Sequence, residues 1–321
     1  MRLVYSFLLS ALLALSAQAA DFSLQPDGTI VDQAGRRIVV KKPFTRIISL
    51  YAAHTENLFA LGLGDALQGV SSHEDFPPQA LRKPVFSYHD DAEKFLAAAP
   101  DLVLVRPMID RGYPALMRRL EQSGITVVSL QPGTVARMKS YWRILGRLGG
   151  RLAAAEAMIT TFEGAVTDFK ALTQGVIPKH VYFESIHRKM KTFTPTSMAI
   201  FVLETAGGVN VAGDARAVHG TNIAAYGKER ILAHADEIDV YLSQKGPMNR
   251  VSVESIIREP GFSAIRAVKE GRVFIVEESI VSRPTSRLLL GINRIGGILY
   301  PRRFAQRGKR ILKQTGFFQI P

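Results

Sequence analysis

Apolar residues along the chain fall into two alternating blocks with one long helical stretch between them. In the first block, residues 46–50 (Arg-Ile-Ile-Ser-Leu) make an apolar run of strand length. They lead into residues 55–61 (Thr-Glu-Asn-Leu-Phe-Ala-Leu), whose pattern is helical and ends at Gly62. Residues 68–71, 101–105 and 125–130 are further expected strands joined by connections rich in Pro, Gly and Asp. Residues 114–122 are an expected helix closed by Gly124. The second block repeats the pattern, with strands expected at 181–183, 238–242 and 273–277. Its helices are expected at 197–206, 252–258 and 287–300, the last stopped by Pro301. Strand–helix alternation of this kind predicts parallel sheets covered by helices on both faces.

Between the blocks, Leu152, Ala155, Ile159, Phe162, Val166, Phe169 and Leu172 recur every three or four residues and hold one face of a helix. A helix over residues 151–173 spans about 34 Å. Gly149-Gly150 before it and Gly175 with Pro178 after it suit its ends. It either lies along the surface of one continuous domain or forms a rigid backbone joining two lobes. The expected division is a signal peptide at 1–20, an N-terminal α/β lobe at 21–148 and a linking helix at 149–174. A C-terminal α/β lobe at 175–301 and a basic tail at 302–321 complete it.

Composition narrows the function. At 321 residues and 47% hydrophobic, the chain has the makeup of a two-domain globular protein, which excludes a disordered or collagen-like one. It has no cysteine, so disulfides, Cys-ligated zinc, iron–sulfur clusters, a thiol nucleophile and a lipid-anchored N-terminal Cys are all excluded. The 41 Lys and Arg against 28 Asp and Glu give a net charge of +13, which raises the question of a polyanionic partner. Residues 1–20 argue against nucleic acid. Arg2, the apolar run 3–15 and Ala17-Gln18-Ala19 follow the order of a cleaved secretory signal, and the run is too short to span a bilayer. The expected location is therefore the periplasm, reached through the inner membrane, with an anionic ligand or membrane surface as the use for the charge. In the tail, Arg302, Arg303, Arg307, Lys309, Arg310 and Lys313 occur without an acidic residue. They read as a solvated helix face, with a membrane-surface contact as the alternative.

Catalytic signatures are missing: there is no phosphate loop, no dinucleotide-binding glycine motif, no H-E-x-x-H and no G-x-S-x-G. The seven histidines include no pair at i, i+4. The expectation is a protein that is not an enzyme and holds no permanent cofactor.

Residues 46–50 followed by 55–62 resemble the opening of the helix-linked periplasmic binding proteins, the receptors of ABC importers for ferric siderophores, haem and cobalamin. Residues 69–80 (Gly-Val-Ser-Ser-His-Glu-Asp-Phe-Pro-Pro-Gln-Ala) are similar to that family's second-strand segment. Residues 99–104, 193–197 with 203–210, and 267–274 continue the match in order around a single long helix. The resemblance implies an α/β fold of class III: two Rossmann-like lobes with small parallel sheets joined by one long α-helix. It further implies a monomer with ligand in the interlobe cleft at the carboxyl ends of the strands, small closure on binding, and delivery to an inner-membrane permease and its ATPase. In this family a Glu on each lobe pairs with permease arginines, and the matching positions are Glu56 and Glu229.

Residues just beyond strand ends are the cleft candidates. They are Tyr51, His54, His73, Tyr88, His89 and Arg106 in the first lobe, and His187, Arg188, Lys191, His219, Arg250 and Arg283 in the second. Arginine forks bind carboxylate and catecholate oxygens, and Tyr or His can complete the shell of a ferric ion. A ferric siderophore or related anionic iron chelate is the first expectation. Cobalamin comes second, because it calls for flat aromatic walls. Trp142 is expected near the long helix and away from the cleft, leaving Tyr51, Tyr88 and Phe86 for that task, and Ser87-Tyr88-His89 stands where cobalamin-binding relatives carry a Trp. Haem, with a Tyr or His axial ligand, is third. A free-metal receptor would need several inward histidines, and an exported enzyme a nucleophile motif. Neither pattern is present.

Overall fold

The computed structural model describes residues 21–218 and 221–317. The expected signal peptide at 1–20 and the candidate His219 lie outside these residues.

Three short antiparallel strands, β1 (Ser23–Leu24), β2 (Ile30–Val31) and β3 (Arg37–Ile38), precede the first lobe. Its sheet is wholly parallel in the order β5-β4-β6-β7, from β4 (Ile47–Ser49), β5 (Leu67–Gly69), β6 (Leu102–Val105) and β7 (Thr126–Ser129). All four residues of β6 (Leu-Val-Leu-Val) are buried, as a parallel strand covered on both faces requires. The helices of this lobe are α1 (Ala52–Ala60), α2 (Ala92–Ala97), α3 (Pro107–Gly112), α4 (Pro114–Gln122) and α5 (Val135–Leu148).

The long helix α6 runs from Leu152 to Leu172. It buries Ala155, Met158, Ile159, Phe162, Ala165, Phe169 and Leu172, close to the face read from the apolar spacing, while Leu152 is exposed and Val166 half-buried. In the second lobe the central strand β8 (Lys179–Ile186) pairs in parallel with β13 (Val240–Lys245) on one side, and β13 pairs with β14 (Val273–Glu277). On its other side β8 pairs in parallel with β10 (Gly208–Asn210) at its amino end and antiparallel with β9 (Lys191–Phe193) at its carboxyl end. Two short strands, β11 (Arg216–Ala217) and β12 (Ile223–Ala225), extend that antiparallel edge. The surrounding helices are α7 (Met198–Thr205), α8 (Lys228–Ala233), α9 (Val253–Ile257), α10 (Arg266–Lys269), α11 (Glu278–Val281), α12 (Leu288–Leu299), α13 (Pro301–Phe304) and α14 (Arg307–Thr315).

Each sheet separates two cores. The outer face of the first sheet, Ile48, Leu50, Val103 and Val105, packs on Phe95 of α2 and on Met117 and Leu120 of α4. The outer face of the second, Tyr182 and Tyr241, packs on Ile231, Ile256 and Phe262. The inner faces share one continuous core that includes Ile47 and Leu104 from one lobe, Phe183 and Leu242 from the other, and the buried stripes of α5, α6, α7 and α12 between them. Trp142 of α5 lies fully buried here with its ring edge-on to Phe162 of α6 at 5.4 Å, beside the long helix as expected. The helix joining the lobes is thus embedded in shared hydrophobic packing, which resists bending more than an isolated rod would.

Candidate functional site

The carboxyl ends of β4, β6, β8, β13 and β14 carry the polar and aromatic residues that a cleft between the lobes would present. Beyond β4, Tyr51 is the residue before the first turn of α1, and beyond β6, Arg106 holds the same place for α3. The Arg106 guanidinium lies 5.2 Å from the centre of the Tyr51 ring, and its Nη2 reaches Met108 Sδ at 3.8 Å. Burial pushes the Tyr51 phenol up to about 12. Tyr88 and His89 gather with Tyr113 into one aromatic group, their ring centres 4.5 to 5.1 Å apart. The Tyr113 hydroxyl lies 3.1 Å from His89 Nδ1. Tyr113 was not among the sequence candidates. It follows Arg106 by seven residues across the short α3, and only the fold shows that α3 turns it back onto Tyr88. His73 is exposed on the loop after β5 and meets none of the other candidates.

Three expectations in the first lobe are corrected. His54 is wholly buried inside α1. Its Nε2–H donates to the Val105 carbonyl at 3.0 Å and its Nδ1 accepts the Tyr141 hydroxyl at 2.6 Å, so it faces the core and not the cleft. Burial holds its imidazole down to about 4. Phe86, offered as an aromatic wall, is buried against Phe95 at 5.1 Å. Glu56 is only 5% exposed, which removes it as an outward docking carboxylate.

Glu56 instead joins a polar bridge between the lobes. Arg283 Nη1 donates to Glu56 at 3.1 Å and to Asp75 at 2.6 Å, while its Nε reaches Glu278 at 3.3 Å. Arg287 Nη1 donates to the same Glu56 and Asp75 oxygens, each at 3.2 Å. Next to them Asn57 Nδ2 donates to the Pro284 carbonyl at 3.0 Å. Arg283, expected to meet ligand, is therefore buried and committed to three carboxylates. Burial raises the Glu56 carboxyl to about 7 against the pull of both guanidiniums. Asp75 is positioned by its neighbour Glu74, which accepts from Thr55 Oγ1 at 3.0 Å and from the Ser71 hydroxyl at 2.7 Å. Residues this far apart in the chain give no local signal of pairing, so sequence reasoning missed Asp75 and Arg287.

In the second lobe His187 directly follows β8 and is mostly buried. Its Nδ1 binds Glu184 Oε1 at 2.9 Å, and that bond raises the imidazole above its ordinary value. Glu184 is itself fully buried and also accepts from Tyr241 Oη and Ser243 Oγ, each at 2.7 Å. His187 thus belongs to an internal network, with its other nitrogen 3.9 Å from Glu259. Arg188 and Arg250 are exposed, Lys191 is half-buried, and no ion partner for these three occurs among the described residues. Arg250 lines an open depression of ≈ 590 Å³ with Lys245, Gly246, Pro247 and Glu277, where β13 and β14 end. Glu229 is exposed in the first turn of α8. Among the described residues no group of three or more His, Asp or Glu is placed to hold a metal ion.

Two α/β lobes, the first with a parallel sheet and the second with a mixed one, are joined through one long helix. Residues 47–279 match the family described as periplasmic binding protein, and the chain belongs to that family, in its helix-linked class. It is 26% identical over 284 residues to YvrC of Bacillus subtilis, an uncharacterized ABC transporter substrate-binding lipoprotein, covering 87% of each chain. It is 24% identical over 261 residues to a vitamin B12-binding protein of Vibrio cholerae, covering 80% of this chain and 90% of that one. Among solved structures, a possible iron-binding periplasmic solute-binding protein from Staphylococcus epidermidis superposes with a TM-score of 0.71 at 24% identity. It covers 81% of this chain and 100% of its own.

Proposed function

We propose that this protein is the periplasmic receptor of an ABC importer and that it captures an anionic ferric chelate of the siderophore type. The observation that carries the ligand class is the chemistry left free at the strand ends. The histidines His54 and His187 are consumed by internal hydrogen bonds, while Arg188, Arg250 and Lys245 stand exposed on one side and Arg106 flanks Tyr51 on the other. That set recognises the oxygen-rich, negatively charged periphery of a chelate better than it ligates a bare ion. Charge attraction would also speed capture. A second reading, cobalamin or haem, is favoured by the Tyr88–His89–Tyr113 group, whose three rings, tilted 48° to 89° from one another, offer aromatic contact to a macrocycle. The vitamin B12-binding relative supports it too.

One titration panel separates these readings. Ferric catecholate and hydroxamate siderophores, cobalamin and haem are each titrated into the purified protein and followed by ligand absorbance. Tight saturation by a ferric siderophore, weakened in Arg106→Ala and Arg250→Ala, is the expected result. Saturation by cobalamin or haem with no response to iron chelates overturns the siderophore assignment and leaves the receptor reading standing.

Docking on the permease needs an exposed acid on each lobe. Glu229 meets that requirement. In the first lobe, where Glu56 is buried, we assign that role to Glu93. Each is the second residue of a short helix, α2 after Asp91 and α8 after Gly227, and both are exposed. Such pairs contribute orientation more than affinity.

A further inference from the structure

The transport reading leaves the basic end of the chain without a task. Residues 288–317 contain seven of the chain's 41 Lys and Arg and none of its 28 Asp and Glu. Helix α14 turns Gly308 and Ile311 inward against the shared core and leaves Arg307, Lys309, Arg310 and Lys313 exposed. Arg302 and Arg303 continue the exposed face on α13. No ion partner for any of these six occurs among the described residues. Two cations of α5 are by contrast neutralised, Lys139 by Glu163 at 2.5 Å and Arg143 by Glu156 at 2.6 Å. That also turns those α6 carboxylates toward α5.

A second feature adjoins this face. Ile177 is 83% exposed, the highest value among the exposed large apolar residues, on the turn between α6 and β8. Its carbonyl accepts the Tyr300 hydroxyl at 3.1 Å, and Tyr300 immediately precedes α13. A rigid aliphatic tip is therefore fixed at the edge of an unneutralised cationic surface. Ile177 lies just before β8, and the Tyr300 hydroxyl also donates to the Gly207 carbonyl at 2.9 Å, just before β10. This edge therefore lies toward strand amino ends, whereas the candidate cleft residues lie at carboxyl ends.

We propose that the α13–α14 face with Ile177 docks on an anionic phospholipid bilayer. The cations meet lipid phosphates, and Ile177 enters the boundary between headgroups and acyl chains. A soluble polyanion would use the cations and have no use for the apolar tip. Attached by this pole, the protein holds its cleft away from the lipid and open to ligand, and it must release before Glu93 and Glu229 can engage a permease in the same membrane. The attachment itself does not depend on which ligand is carried.

The test is co-sedimentation of the exported protein, purified from the periplasmic fraction, with vesicles of equal parts phosphatidylglycerol and phosphatidylcholine, against pure phosphatidylcholine. Binding is expected to the anionic vesicles alone and to weaken as salt rises. At about fivefold per cation, the variant Arg302→Glu/Arg303→Glu/Lys309→Glu/Arg310→Glu should lose at least about 100-fold. Ile177→Ser should lose roughly tenfold on vesicles with no change in heparin binding. Should the fourfold variant fold poorly, Arg302→Glu and Arg310→Glu singly should each lose roughly fivefold or more in the same assay. No sedimentation with anionic vesicles at low salt overturns the proposal. So does equal binding by the charge-reversed protein, or an Ile177→Ser protein indistinguishable from wild type.

Discussion

Lowering the pH from 7 to 4 should strip this protein of about 3 kcal/mol of stability through His54 alone. The imidazole is enclosed in the first lobe, with one nitrogen donating to the Val105 carbonyl and the other accepting from Tyr141. A second proton would force the Tyr141 hydroxyl to turn round and accept, although Asn57 Nδ2 already points at it from 3.4 Å. Burial therefore holds the folded value to about 4, while the unfolded chain titrates at the ordinary 6.5. Because the folded value is depressed, the contribution is complete above pH 6.5 and drains away as pH falls toward 4. A gap of about 2.5 pH units, at about 1.4 kcal/mol each, amounts to about 3 kcal/mol, most of which is gone by pH 4. The assay is urea unfolding of wild type and His54→Gln across that range, followed by the fluorescence of Trp142, the sole tryptophan. Other groups titrate in both proteins and cancel in the difference. The advantage of wild type over the variant should shrink by about 3 kcal/mol between pH 7 and pH 4. Parallel stability curves would refute the claim that His54 is kept neutral by enclosure.

Other consequences follow from the same geometry. Arg283→Met should cost about 1.5–3 kcal/mol in denaturant unfolding, because Glu278 loses its guanidinium partner and Glu56 keeps only Arg287. A cost below about 1 kcal/mol would show the interlobe bridge to be dispensable. Glu93→Ala with Glu229→Ala should leave ligand affinity within about twofold of wild type and abolish uptake by cells. Unchanged uptake would remove both residues from docking, and Glu56→Gln in place of Glu93→Ala should not reproduce the uptake defect.

Much of the architecture was legible before any coordinates. The alternating blocks marked the parallel strands, and the spacing of Ala155, Ile159, Phe162, Phe169 and Leu172 marked most of the buried face of α6. Helix α5 went unread although Met138, Tyr141, Trp142, Leu145 and Leu148 carry the helical spacing and Thr134 caps it, accepting from the Arg137 N–H at 3.2 Å. The antiparallel edge β9-β12-β11 was unreadable for another reason: its strands are two or three residues long, too short for a period to register. The sites fared unevenly. Tyr51 and Arg106 stand where strand ends put them, whereas His54, three residues after Tyr51, turns inward because a helix rotates each successive side chain by about 100°.

What the sequence determined by itself is whatever depends on near neighbours: the order of strands and helices, the buried stripe of the long helix, the basic tail and the family match. Tertiary structure alone decided the state of each charged or aromatic candidate. Whether Glu56 faces solvent or a guanidinium depends on Arg283 and Arg287, more than two hundred residues away. Burial and pairing are properties of that meeting, and both strongly alter what a carboxylate or imidazole can do.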